Sequence, residues 1–168
     1  MQLFFADAFF FLAICIARLD LPEAVGPIIS FIMQEVIYSK EEIGKIIDFI
    51  SQKARNSFVL FLHGEIGTGK TFLVSHLLKH LGVTETVTSP TFSIFNEYQT
   101  PQFNIFHYDL YRIKKPEELM FVDIDENLEN GMLIIEWPEF ARTYGIKPNM
   151  EISLFYTKNP ETRKAEIK

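Results

Sequence analysis

Apolar and polar positions divide the chain into runs of two kinds. In YSKEEIGKIIDFISQKA (38–54), Ile43, Ile46, Ile47, Ile50 and Ala54 recur at three and four residues, which predicts a helix with one apolar face. Ser39, followed three residues on by Glu42, has the pattern of a capping box, which satisfies free N–H groups of a first turn. FVLFL (58–62) is instead an unbroken run of strand-forming residues, suited to a central strand buried on both faces. KTFLVSHLLKHL (70–81) returns to a helix that stops at Gly82.

The second half continues the alternation. TVTSPTFSIFNEY (86–98) is a polar loop leading toward a strand, and FNIFHYD (103–109) is a further strand. KPEELMFVDIDENLEN (115–130) predicts one or two short helices, with Pro116 at a first helical position and glutamates behind it at the positive end of the dipole. Gly131 is expected to break the chain, and MLIIE (132–136) is the second strongly buried strand. EISLFY (151–156) and TRKAEIK (162–168) predict a closing strand pair around a turn at Asn159–Pro160. Strands alternating with helices predict an α/β class with a mostly parallel central sheet flanked by helices.

The 168 residues suffice for one domain with a full core. A net charge of −6 excludes nucleic-acid binding through a general basic field, so any RNA contact needs a local patch or a partner protein. The single cysteine, Cys15, excludes a disulfide framework and fits a reducing, cytoplasmic setting. The expected domains are an apolar extension, 1–32, and one folded domain, 33–168. In the extension, LFFADAFFFLAICIA (3–17) is shorter than the roughly 20 residues of a membrane span. It also lacks the positive flank of a signal peptide. A weak anchor, a docking extension and a misplaced start, with the native chain opening at Met33, are the three readings. No stable membrane association is expected. Without the extension the charge becomes −4, since Arg18 leaves with Asp7, Asp20 and Glu23.

The chemistry concentrates between the first buried strand and the helix after it. Gly64, Glu65, Ile66, Gly67, Thr68, Gly69, Lys70 and Thr71 fit G-x-x-x-x-G-K-[ST] in its proper strand-to-helix context. Glycines let the backbone turn its N–H groups inward, and the helix adds its positive end. Lys70 supplies charge for β- and γ-phosphates, and the Thr71 hydroxyl is a ligand for Mg2+. A second carboxylate belongs at the C-terminal end of a neighbouring strand. Glu136 is favoured because of the purely apolar run before it, and Asp109 is the alternative. TKNP (157–160) lacks the aspartate of guanine-specific proteins, which favours ATP. Arg18, Arg55, Arg112, Arg142 and Arg163 are scattered, which favours hydrolysis over a small-molecule or nucleotide kinase, the alternative reading.

HGEIGTGKTF, TSPTFSIFNEY, HYDLYRI, KPEELMFVDIDENL and IIEWPEF occur in one order and spacing. From Met33 onward the chain resembles the TsaE or YjeE-like P-loop ATPases of bacterial tRNA threonylcarbamoyladenosine (t6A) biosynthesis. The resemblance implies a P-loop NTPase fold and slow Mg-dependent ATP hydrolysis that resets a partner transferase complex. The implied partners are two proteins of sugar-kinase-like fold, TsaB-like and TsaD-like, with tRNA contacted indirectly. It further implies Lys70, Thr91, Asp109 and Glu136 as catalytic residues and Thr71 and Glu136 as the magnesium contacts. Ser89, Pro90, Thr91 and Phe92 match a switch-like loop, with Thr91 placed to sense the γ-phosphate. Asp109 and Arg112 match DLYR, and Trp137 of EWPE is either a neighbour of the nucleotide or a core residue. Ile43 stands where a threonine is common, which weakens Ser39 and Glu41 as adenine contacts. His63, His76, His80 and His107 form no ligand set, and no zinc is expected.

Overall fold

The computed structural model of the chain describes residues 34–90 and 94–168. The extension, Met33, and Thr91 and Phe92 of the switch-like loop lie outside the described residues.

One seven-stranded sheet organises the described residues, in the order β1 (Gln34–Ser39), β7 (Thr162–Ile167), β6 (Met150–Tyr156), β2 (Val59–His63), β5 (Gly131–Glu136), β4 (Asn104–Asp109) and β3 (Phe95–Gln99). The four inner strands, β6-β2-β5-β4, are mutually parallel, as expected. The outer pairings β1–β7, β7–β6 and β4–β3 are antiparallel. Two of these have a simple cause: β3–β4 and β6–β7 are joined by short turns, which connect antiparallel neighbours only. The second of these turns holds Asn159 and Pro160.

The inner strands are apolar throughout because both faces are covered. Leu60 and Leu62 of β2, Ile105 of β4 and Met132 and Ile134 of β5 pack with α1 (Gly44–Ser51) and α2 (Lys70–His80) on one face. Val59, Phe61, Phe106, Tyr108, Leu133 and Ile135 point to the other face. There they meet Leu119 of a 3-10 segment (Pro116–Phe121), Ile124 of α3 (Ile124–Asn130) and Ala141 of α4 (Glu139–Tyr144). This period-two division is what a strand buried on both sides requires.

Three elements depart from the sequence pattern. The helix expected over 38–54 starts later, because Tyr38 and Ser39 end β1 and a 3-10 turn, Lys40–Glu42, intervenes. The Ser39 N–H donates to Glu42 Oε2 at 3.1 Å, so the capping residues act on that turn. The six-residue α4 buries one residue, Ala141, completely, too little to leave a periodic signature. Gly131, expected as a break, instead opens β5 with extended backbone. Its glycine is needed for close approach: a Cβ there would collide with the Asn104 carbonyl oxygen of β4.

Candidate functional site

The loop from β2 to α2 leaves the sheet where the parallel strands end, the usual place for ligands in open α/β sheets. Gly64 has φ +137°, and a Cβ on it would lie 2.5 Å from the Leu154 carbonyl oxygen of β6. The loop therefore runs closer to β6 than a side chain permits. Thr68 Oγ1 donates to the Glu65 carbonyl at 2.8 Å, closing the turn from inside. Tyr156, at the end of β6, donates its hydroxyl to the Ile66 carbonyl at 2.7 Å. An open cleft of about 580 Å3 lies over the loop, lined by Gly64, Glu65, Ile66 and Trp137.

Lys70 starts α2 and is 5% exposed. Its ammonium donates to the Gly64 and Glu65 carbonyls at 2.7 and 3.0 Å and stands 4.0 Å from the centre of the Trp137 ring. Burial lowers its pKa from the ordinary lysine value, against the pull of Glu136, Asp109 and Glu139, which favour the charged form. Trp137 takes a left-handed backbone, φ 58°, immediately after β5. Such a conformation is strained for a bulky residue and recurs at functional sites. Here it turns the chain off the strand, while the Trp137 N–H bonds to the Leu62 carbonyl at 3.2 Å. Trp137 lines the cleft over the loop and also packs against the core on the Phe61 face of the sheet.

Sheet register brings the two candidate carboxylates together. Leu62, Glu136 and Asp109 are successive partners across β2, β5 and β4. Glu136 is 2% exposed, and Thr71 Oγ1 donates to its Oε1 and Oε2 at 2.9 and 3.2 Å. The hydroxyl and carboxylate predicted as magnesium contacts thus meet although 65 residues apart. Asp109 is more open and engaged differently. Ser89 of the SPTF segment donates to its Oδ2 at 2.6 Å, and the Tyr111 N–H donates to Oδ1 at 3.1 Å. Asp109 therefore ties the switch-like loop to the sheet, and Glu136 is the carboxylate beside Thr71. Hydroxyl and carboxylate oxygens suit a hard cation such as Mg2+. Ser39 and Glu41 lie at the β1 edge, separated from β2 by β7 and β6.

Two histidines that the sequence pattern marks only as part of no ligand set stand at the site. His107 of β4 is fully buried, with Nε2 2.9 Å from Glu136 Oε1. Period two in HYD puts His107 on the same strand face as Asp109, the signal that could have found it. His63, the last residue of β2, has Nε2 3.0 Å from Glu151 Oε2 and Nδ1 3.5 Å from Glu139 Oε1. Arg142 of α4 binds the same Glu151 oxygen at 2.5 Å. Burial raises the Glu151 pKa, but hydrogen bonds and charge from Arg142 and His63 outweigh that and hold it below the ordinary value.

A family model described as threonylcarbamoyl adenosine biosynthesis protein TsaE matches residues 37–165. The tRNA threonylcarbamoyladenosine biosynthesis protein TsaE of Rickettsia prowazekii is 37% identical over 117 residues, covering 69% of this chain and 81% of that protein. The protein of the same name from Aquifex aeolicus is 37% identical over 124 residues, covering 72% and 89%. Among solved structures, Bacillus subtilis YdiB superposes with a TM-score of 0.65 at 22% identity, covering 81% of this chain and 86% of that one. That likeness is one of fold, and the fold is the P-loop type expected from the glycine-rich loop.

Proposed function

Because the chain belongs to the TsaE family of t6A biosynthesis, we propose that it binds and hydrolyses Mg-ATP within that machinery, its cycle resetting a partner transferase complex. The observation that carries the reading is the hydrogen bond from Thr71 to Glu136 beside the buried Lys70, at the mouth of a strand–glycine loop–helix unit. In this reading the loop N–H groups and the start of α2 hold the phosphates. The Lys70 ammonium exchanges its carbonyl partners for β- and γ-phosphate oxygens, a charge-assisted and stronger bond. Thr71 and Glu136 would hold Mg2+, which when bound polarises the phosphoryl oxygens. Glu136 and Asp109 orient the attacking water between the strand ends, and Thr91 senses the γ-phosphate and orders the loop that Ser89 ties to Asp109.

The proposed partners are the TsaB-like and TsaD-like proteins of sugar-kinase-like fold, and tRNA is reached through them. A net charge of −6 agrees with a protein that touches proteins before it touches RNA. Phosphate release from ATP, measured with and without the two partners, tests the proposal. Slow release by the chain alone and faster release in the complex are expected. ADP formation that depends on a small hydroxylated acceptor and releases no phosphate would instead move the reading to a kinase.

A further inference from the structure

His107 occupies a place that an aliphatic residue would fill more cheaply. Ile105, two residues earlier on the same face of β4, and Ile134, its register partner on β5, are both fully buried. Among the described residues, His107 Nδ1 has no hydrogen-bond partner. An unpaired buried polar group costs about 1–3 kcal/mol. What the imidazole adds in return is a donor at Nε2, 2.9 Å from Glu136 Oε1. A proton on Nδ1 alone would set two lone pairs against each other across that contact and strand a buried N–H. The geometry therefore puts a proton on Nε2.

The two oxygens of Glu136 are then unequal. Oε1 accepts from His107 and from Thr71, each at 2.9 Å, while Oε2 has the longer Thr71 contact at 3.2 Å. We infer that His107 is a positioning residue for Glu136: its Nε2–H saturates Oε1 and fixes the plane of the carboxylate. Oε2 is thereby the oxygen left to serve the nucleotide site. The hydrogen bond itself stands apart from the ATPase reading, but its effect on turnover rests on that reading. Groups that orient a metal-site carboxylate or histidine in this way typically account for about 10- to 100-fold in affinity or activity.

Two measurements on the full chain test the inference. Long-range 1H–15N NMR of the ligand-free protein should show His107 protonated at Nε2 near neutral pH, with its resonances displaced in Glu136→Gln. Protonation at Nδ1 alone, or no response to Glu136→Gln, would overturn it. In the second, His107→Leu should lower kcat about 10- to 100-fold and raise the Mg2+ concentration needed for half-maximal rate. Its affinity for metal-free ATP should stay within about twofold, because the effect is on turnover and metal rather than on phosphate binding. His107→Gln, whose amide N–H reaches toward the same oxygen, should recover most of the loss. Equal defects in Leu and Gln, or wild-type kinetics in Leu, would contradict the inference. If His107→Leu does not fold, the NMR result on the wild-type chain decides. If wild-type protein releases no phosphate, the ATPase reading fails, and the NMR measurement still tests the His107–Glu136 bond.

Discussion

Lys70 and Gly64 carry opposite kinds of constraint at the same loop. Lys70 holds a positive charge where only 5% of the residue is exposed, and its carbonyl partners are neutral. Lys70→Ala removes charge-assisted bonds worth about 1.5–3 kcal/mol, so ATP affinity should fall roughly 10- to 150-fold by isothermal calorimetry, with little loss of fold. Gly64→Ala does the reverse. It leaves the charge alone and forces a Cβ against the Leu154 carbonyl at φ +137°. The expected cost is about 1–3 kcal/mol or more in urea unfolding. At this scale the loop was legible in the sequence because its chemistry is local: eight consecutive residues and their flanks suffice. His107 was not, since its significance lies in a carboxylate 29 residues away, brought near by strand pairing.

Among the elements, β6 does more than close a strand pair. Its last residue, Tyr156, holds the loop through the Ile66 carbonyl, and Arg163 of β7 lies 4.7 Å over the Tyr156 ring. Tyr156→Phe should cost about 0.5–1.5 kcal/mol of loop order and weaken ATP binding roughly 2- to 10-fold, with global stability nearly unchanged. The first residues of the same strand clamp α4 to β2 through Glu151, Arg142 and His63. The Glu151 pKa is lowered on folding, so the clamp's stabilisation is present above the ordinary carboxylate range, near pH 4.3, and is lost as pH falls through the lower folded value. Wild type should exceed Glu151→Gln by about 1 kcal/mol at pH 7 in urea titrations, with the difference shrinking below about pH 4. The strands of this region were legible because alternation is their own property. The short α4 was not, because six residues with only Ala141 fully buried are too few to show a period.

For the whole molecule, the sequence pattern foretold the parallel centre of the sheet, since unbroken apolar runs mark strands covered on both faces. It did not foretell β1 at the edge, where Ile37 is 67% exposed and, among the described residues, the strand pairs with β7 on one side only. Charge acts at this scale as well. At −6 the isolated chain should show no tRNA binding in a filter assay at about 0.15 M salt, where screening leaves only local contacts. Micromolar binding would show a basic patch stronger than the overall charge and would put the RNA contact on this protein rather than its partners. A crystal structure with Mg2+ and a non-hydrolysable ATP analogue would show whether the loop of residues 64–71 holds a triphosphate with a metal beside Thr71 and Glu136. Phosphate oxygens are expected on the loop N–H groups and on Lys70 Nζ, and the metal next to Thr71 Oγ1. An analogue bound elsewhere, or a loop that stays without phosphate contacts at saturating nucleotide, would contradict this expectation.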